Sequence, residues 1–187
     1  MSDFANAVLI IIDVQKGIDA AYHAAHGPRN NPDAEANIAR LLKEWRDQGR
    51  RVVHVRHDST FADSAYRPGQ RGNEFKEQVV PRPGEIVLAK TTNSAFIGTS
   101  LERDLRNADI SKLVITGVAT NNSVEATVRM AGNLGFETYL VADACFTFAR
   151  HDFAGRLRSA DEVHAMSLAN LDGEYCAVAL TDEIIVR

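Results

Sequence analysis

The chain has 187 residues, of which 45% are hydrophobic and 25% charged, and its formal net charge is −4. These are the proportions of one globular domain (1-187) able to bury a core, and they exclude a disordered chain. The weak acidic balance offers no basic face to nucleic acid or an anionic membrane.

Taken in chain order, the segment before Val8 is not basic, and the apolar run Val8 to Ile12 ends at Asp13. That run is too short for a leader core or a membrane span, so the expectation is a cytoplasmic protein without a membrane partner. Unbroken apolarity over five residues predicts a strand covered on both faces. Asn31 and Pro32 are expected to open a helix, with Ile38, Leu41, Leu42 and Trp45 on its apolar face and Gly49 ending it. Arg51 to His57 reads as the second strand. Asp58 to Pro83 then loses all periodicity, which at that length points to a functional loop.

Glu85 to Lys90 reads as the next strand, and Thr99 with Glu102 predicts a capping box for a helix through Leu101, Leu105 and Ala108. Lys112 to Val118 is expected as a buried strand, Ser123 to Leu134 as a helix closed by Gly135, and Thr138 to Ala142 as a strand. A second capping box, Ser159 with Glu162, precedes a helix around Val163, Met166 and Leu171, and Ala177 to Leu180 closes the series.

This alternation predicts a three-layer α/β/α, Rossmann-like fold, with a mainly parallel six-stranded sheet carrying helices on both faces. Ligands of such sheets bind beyond the carboxyl ends of the strands. The residues expected there are Asp13, His57, Lys90, Ala119, Thr120 and Asp143. A carboxylate after a buried apolar run is partly desolvated, which raises its pKa, although a cap or loop brace is as good a reading of Asp13 alone. Lys90 in that position is able to pair with it or to stabilise developing negative charge, although a lone strand-end lysine is more often a solvated charge. Ser123, at a helix start, occupies either a nucleophile elbow or an ordinary N-cap.

Three segments taken together, Ile-Ile-Asp-Val-Gln around Asp13, Lys90 ahead of Ser-Ala-Phe, and Thr-Gly-Val-Ala-Thr-Asn-Asn-Ser-Val ending at Val124, resemble the isochorismatase-like or cysteine hydrolases. The resemblance runs over nearly the whole chain. It implies a catalytic set of Asp13, Lys90 and the residue at 123, a non-proline cis peptide near Val118 and Ala119, no cofactor, and a homo-oligomer (dimer or tetramer). The family's amidases carry cysteine where this sequence has Ser123. A serine hydroxyl is far less acidic than a thiol and normally needs an imidazole or lysine base.

Ser123 is therefore a nucleophile assisted by His57 or Lys90, a positioning residue beside an Asp13 that transfers protons directly, as in the true isochorismatases, or an engineered replacement of the cysteine. The first leads to C–N hydrolysis of an amide-type small molecule, the second to C–O hydrolysis of a vinyl ether. A catalytically weak member that only binds a small molecule is the alternative. The nicotinamidase branch's Asp-Trp-His metal pattern is missing from Val-Arg-His-Asp-Ser-Thr-Phe, and His54 and His57 point to opposite faces of a strand, so no metal is expected. Gly69 and Gly72 make no phosphate or dinucleotide fingerprint. His57, Asn73, Phe96, Ala119 and Thr120 are the candidate substrate-binding residues, with Arg71 and Phe75 nearby in the long loop. Cys145 and Cys176 lack the number and spacing of a disulfide framework or zinc site, suit a reducing compartment, and read as packing residues. Sequence alone leaves His164 and Asn170 without a role.

Overall fold

The computed structural model describes residues 4–186. Five apolar residues in a row at Val8–Ile12 are explained by position: β1 (Ala7–Ile12) is an interior strand, buried at every residue. On either side of it lie β2 (Val52–His57) and β4 (Lys112–Val118), and the order continues to β3 (Ile86–Lys90) on one flank and β5 (Glu137–Phe146) and β8 (Ala177–Ala179) on the other. All five pairings are parallel. A two-stranded antiparallel hairpin, β6 (Arg150–His151) with β7 (Leu157–Arg158), stands outside the sheet.

Alternate β1 side chains feed two cores, as the period of two requires. Val8, Ile10 and Ile12 pack with α2 (Leu101–Asn107) and α3 (Glu125–Asn133). Leu9 and Ile11 pack with Ile38, Leu41, Leu42 and Trp45 of α1 (Ala34–Asp47) and with Ile184 of α5 (Thr181–Val186). The expected α/β/α layering with helices on both faces is present. Among the described residues no helix is long and apolar enough to cross a membrane.

Several local expectations give way to tertiary contacts. The α1 helix begins at Ala34 rather than at Asn31, because the Asn31 side chain donates to the carbonyls of Ala142 and Cys145 in β5. The Thr99 and Glu102 capping box is not formed. Thr99 Oγ1 instead donates to the Ala95 carbonyl and accepts from the Leu101 N–H, and Glu102 pairs with Arg106. The Ser159 and Glu162 box is formed, at the start of α4 (Ala160–Ala169).

β5 is longer than its apolar pattern suggests and is bulged. Between the Ile115–Leu140 and Gly117–Cys145 pairs, β4 advances two residues and β5 five. The carbonyls this frees find side-chain donors: Thr116 for Ala144, Asn31 for Ala142 and Cys145, and Asn37 for Asp143. Asp143 consequently lies within β5 and not at its end. Its carboxylate accepts from Thr181 at the start of α5 and from Asn37, so it braces the fold away from the strand-end cluster.

The sheet edge carries one strong charge cluster. Glu85, just ahead of β3, accepts from Arg46 on α1 at 2.6 and 2.8 Å, from the Arg82 N–H at 2.8 Å, and lies 2.8 Å from His54 Nε2. Burial alone would raise its pKa, but these partners bring it down to about 2. A carboxyl depressed in the folded state contributes stability above its unfolded pKa and loses it as pH falls through the folded value. Glu85→Gln is therefore expected to lower unfolding free energy by about 2 kcal/mol at pH 7. That difference should shrink as pH drops from about 4.5 towards 2 in urea-melt comparisons of the two chains.

Candidate active site

Asp13 follows the last residue of β1 with its backbone in the left-handed region, φ 53°. Its N–H still bonds the Val55 carbonyl of β2, so the chain turns sharply while tied to the sheet. Aspartate tolerates this conformation better than most residues. Beside it, Gly117 of β4 pairs with Ile12 at φ 129°, and a Cβ there would lie 2.2 Å from the Ile12 carbonyl oxygen. Only glycine allows β4 to come this close to the end of β1.

Lys90 ends β3, two strands away, and reaches across the end of β2. Its Nζ lies 2.6 Å from Asp13 Oδ2, 3.1 Å from the Thr92 carbonyl oxygen and 3.3 Å from Ser123 Oγ. Asp13 and Lys90 are both almost completely buried, at 4% and 2% exposure. The second carboxylate oxygen of Asp13, Oδ1, is buried and accepts no hydrogen bond from the described residues. Burial raises the Asp13 pKa above the ordinary aspartate range. The Lys90 charge and hydrogen bond oppose this, as do the Ser123 hydroxyl and His57, and burial prevails.

Ser123 is presented by an unusual piece of backbone. The Val118–Ala119 peptide is cis, and Thr120–Val124 form a wide π-helical turn that runs into α3. Such wide turns recur at functional sites because they aim a side chain that a regular helix would direct elsewhere. Ser123 is therefore neither the N-cap of α3 nor its first residue; α3 begins at Glu125. The Ser123 carbonyl accepts from Thr127 Oγ1 at 2.7 Å, and that hydroxyl also receives the Ala95 N–H at 3.0 Å, which ties the segment after Lys90 to the turn.

His57 ends β2. Gln15 clamps its backbone, accepting from the His57 N–H at 2.7 Å and donating to its carbonyl at 3.0 Å. The ring packs edge-on against Tyr66, with Nδ1 buried and unpartnered among the described residues. Burial lowers its pKa, with Asp13 opposing and Lys90 reinforcing the shift. The lysine, and not this ring, is the group in hydrogen-bonding range of the Ser123 hydroxyl. Ala119 and Thr120 lie at the turn, as expected.

The side chains of Asn73 and Phe96 are each engaged by neighbouring residues. The Asn73 amide is engaged inside the loop, donating to Asp58 and to the carbonyls of His57 and Tyr66. Phe96 stacks on Phe136 within the larger core, because an apolar ring gains more from that contact than from a polar strand end. Phe75 packs edge-on against His54. Cys145 and Cys176 are buried, and burial pushes both thiols up to about 12. Among the described residues no three His, Cys, Asp or Glu side chains are grouped to hold a metal.

Sequence reasoning missed Gln15, Tyr66 and Ser167, and left His164 without a role. Gln15 lies inside the motif around Asp13 and was legible as part of it. The other three are brought in by the loop and by α4, and only the fold reveals them. A surface cavity of about 950 Å³ lies between the β6–β7 hairpin and α4, with Asn121, Phe153 and Met166 among its lining residues. Asp13, Lys90 and Ser123 do not line it, so reactive groups rather than volume mark the candidate active site.

Residues 7–183 match the model of the isochorismatase domain. The chain belongs to the isochorismatase family. The isochorismatase family protein YrdC of Bacillus subtilis is 42% identical over 177 residues, covering 95% of this chain and 93% of its own. A solved isochorismatase-family structure from Chromobacterium violaceum is 56% identical, with a TM-score of 0.94, and 97% of this chain is matched to 93% of that one. The ureidoacrylate amidohydrolase RutB of Variovorax paradoxus is 27% identical over 179 residues, which are 96% of this chain and 62% of that longer protein. The isochorismatase family consists of hydrolases, and hydrolysis is the class of reaction to which this chain is assigned.

Gly117 gives a direct test of how the site is held. Gly117→Ala is expected to cost about 3 kcal/mol of stability through forced contact with the Ile12 backbone. An unchanged denaturation midpoint would show that the two strand ends have room to separate.

Proposed function

We propose that this isochorismatase-family hydrolase cleaves a small organic substrate by acid–base chemistry at Asp13, with the C–O bond of an enol ether as its target. One observation carries the reading: Asp13 is a buried carboxyl with a raised pKa, held through Oδ2 by Lys90 and unpartnered at Oδ1. A raised pKa keeps more of the acid form available towards neutral pH, as a proton donor needs.

In this scheme Asp13 Oδ1 delivers its proton to the vinyl carbon, and the ether carbon becomes an oxocarbenium ion. Water adds to that carbon and returns its proton to the Asp13 carboxylate. The hemiketal then collapses to a carbonyl compound and an alcohol. Lys90 stabilises the carboxylate between the two transfers. Ser123 orients the substrate or the incoming water through its hydroxyl.

A nucleophilic serine is supported less well. Lys90 Nζ donates to Asp13, to the Thr92 carbonyl and to Ser123 Oγ itself, a geometry that offers the serine proton no acceptor. The His57 ring packs on Tyr66 rather than hydrogen-bonding the serine hydroxyl. C–N hydrolysis with Ser123 as nucleophile is the second reading, favoured by the amidohydrolase named among the relatives.

The test is turnover on a panel of small enol ethers and amides. Asp13→Asn is expected to lower kcat/KM by about 10³-fold and Ser123→Ala by only about tenfold. Because the reactive form is protonated, kcat/KM should fall as pH rises through the raised Asp13 pKa. Loss as deep in Ser123→Ala as in Asp13→Asn, on amides, would overturn the reading in favour of a serine nucleophile. A folded chain silent on the whole panel would favour a family member that binds a small molecule without turning it over.

A further inference from the structure

α4 turns two polar side chains inward. Its buried residues are Ala160, His164 and Ser167, whereas Met166 is 63% exposed. A helix packed only for stability would turn its apolar residues inward. Here two polar side chains one turn apart occupy the inner face, and burying them is unfavourable unless they are hydrogen-bonded. Both find their partners at the turn that carries Ser123.

We propose that His164 and Ser167 are positioning residues of the active site, which hold the wide turn Thr120–Val124 and thereby fix Ser123 beside Lys90. His164 Nδ1 lies 2.9 Å from Thr120 Oγ1, and Thr120 is fully buried. Ser167 Oγ lies 3.2 Å from the Thr120 carbonyl oxygen and 2.6 Å from Glu125 Oε2. The turn is thus gripped at its first residue and just past its last. Further ties are lateral: Asn121 Oδ1 accepts from Thr147 Oγ1 at 2.5 Å, and the Ser123 carbonyl accepts from Thr127. A π-helical turn has poorer backbone hydrogen bonding than an α-helix, with the Val124 N–H nitrogen 3.4 Å from the Ala119 carbonyl oxygen. Side-chain anchors therefore decide how firmly it is held. His164 acts through Thr120 and is not assigned contact with substrate.

The turn belongs to the same site as the proposed hydrolysis, but its anchoring is tested without a substrate, so either is able to fail alone. Ser123→Cys puts a thiol where the serine hydroxyl lies 3.3 Å from Lys90 Nζ. Cys145 and Cys176, buried and with thiols pushed up to about 12, give a quiet background. Alkylation of residue 123 by iodoacetamide is followed against pH by mass spectrometry, with a thermal melt for each variant.

In the Ser123→Cys chain, Thr120→Val and His164→Leu are each expected to slow alkylation at pH 7 about tenfold and to raise its pH midpoint by about one unit, as the thiolate loses its fixed place beside Lys90. His164→Asn, which keeps a hydrogen-bonding atom near the Nδ1 position, should restore most of the rate. Thr120→Val with His164→Leu together should be no slower than the slower single variant. A purely structural role would lower the melting temperature and leave the midpoint alone, and that result overturns the proposal. Hydrogen exchange over residues 119–125 in the chain with Ser123 reads the same restraint without a thiol. Faster exchange in His164→Leu, reversed in His164→Asn, supports the proposal, and unchanged exchange overturns it.

Discussion

The buried pair of Asp13 and Lys90 is the constraint around which this molecule is arranged. Taking a carboxylate and an ammonium out of water costs several kcal/mol per ion, and their attraction offsets this only with good geometry and further hydrogen bonds. The two residues are 77 positions apart in sequence, at the ends of strands with β2 between them. Lys90 satisfies its remaining demand with the Thr92 carbonyl and the Ser123 hydroxyl, while Asp13 is left with one oxygen unpartnered. The left-handed turn at Asp13, the missing side chain at Gly117 and the Gln15 clamp on His57 all serve to bring these strand ends together. A protein selected for stability alone would have little reason to keep such a pair, since well-packed apolar residues often do as well.

The same logic, that buried polar groups must be answered, accounts for much of the rest of the site. The β5 bulge frees carbonyls that Thr116, Asn31 and Asn37 then satisfy. The wide turn before α3 is answered by His164, Ser167, Thr127 and Thr147. These side chains come from α1 and the segment before it, from β4, α3 and α4, and from the segment after β5. The turn itself is held by α3, α4 and the segment after β5, which gives rigidity to a backbone form that is weakly bonded by itself.

Much of the architecture was legible where one physical signal dominated. Val8 to Ile12 is too apolar to be anything but an interior strand, and Asp13 at its end is conspicuous for that reason. The helix of Ile38, Leu41, Leu42 and Trp45 was plain from its spacing, and the Ser159–Glu162 box formed as its residues suggest. Where a polar side chain had a choice of partners, sequence misled. Thr99 prefers the Ala95 carbonyl to the Glu102 N–H, Asn31 prefers β5 to the start of α1, and Asp143 serves α5. For Phe96, a pocket wall and a core position were equally good readings of its place after Lys90, and it stacks on Phe136 in the core. His164 and Ser167 were hidden for the same reason: nothing local distinguishes a helix that faces an active site from one that faces water.

The central place of β1 in the strand order also bears on how the chain comes off the ribosome. Its aliphatic residues are made before one of its two neighbours, β4, which begins only at Lys112. Until β4 follows, this segment therefore presents an open, uncharged edge with strong strand propensity, the kind of segment that nucleates intermolecular β-pairing. Parallel pairing forbids a quick local hairpin to hide it, because each parallel partner must return by a long crossover. Nascent chains stalled before β4 should thus depend on chaperone capture far more than the finished protein does.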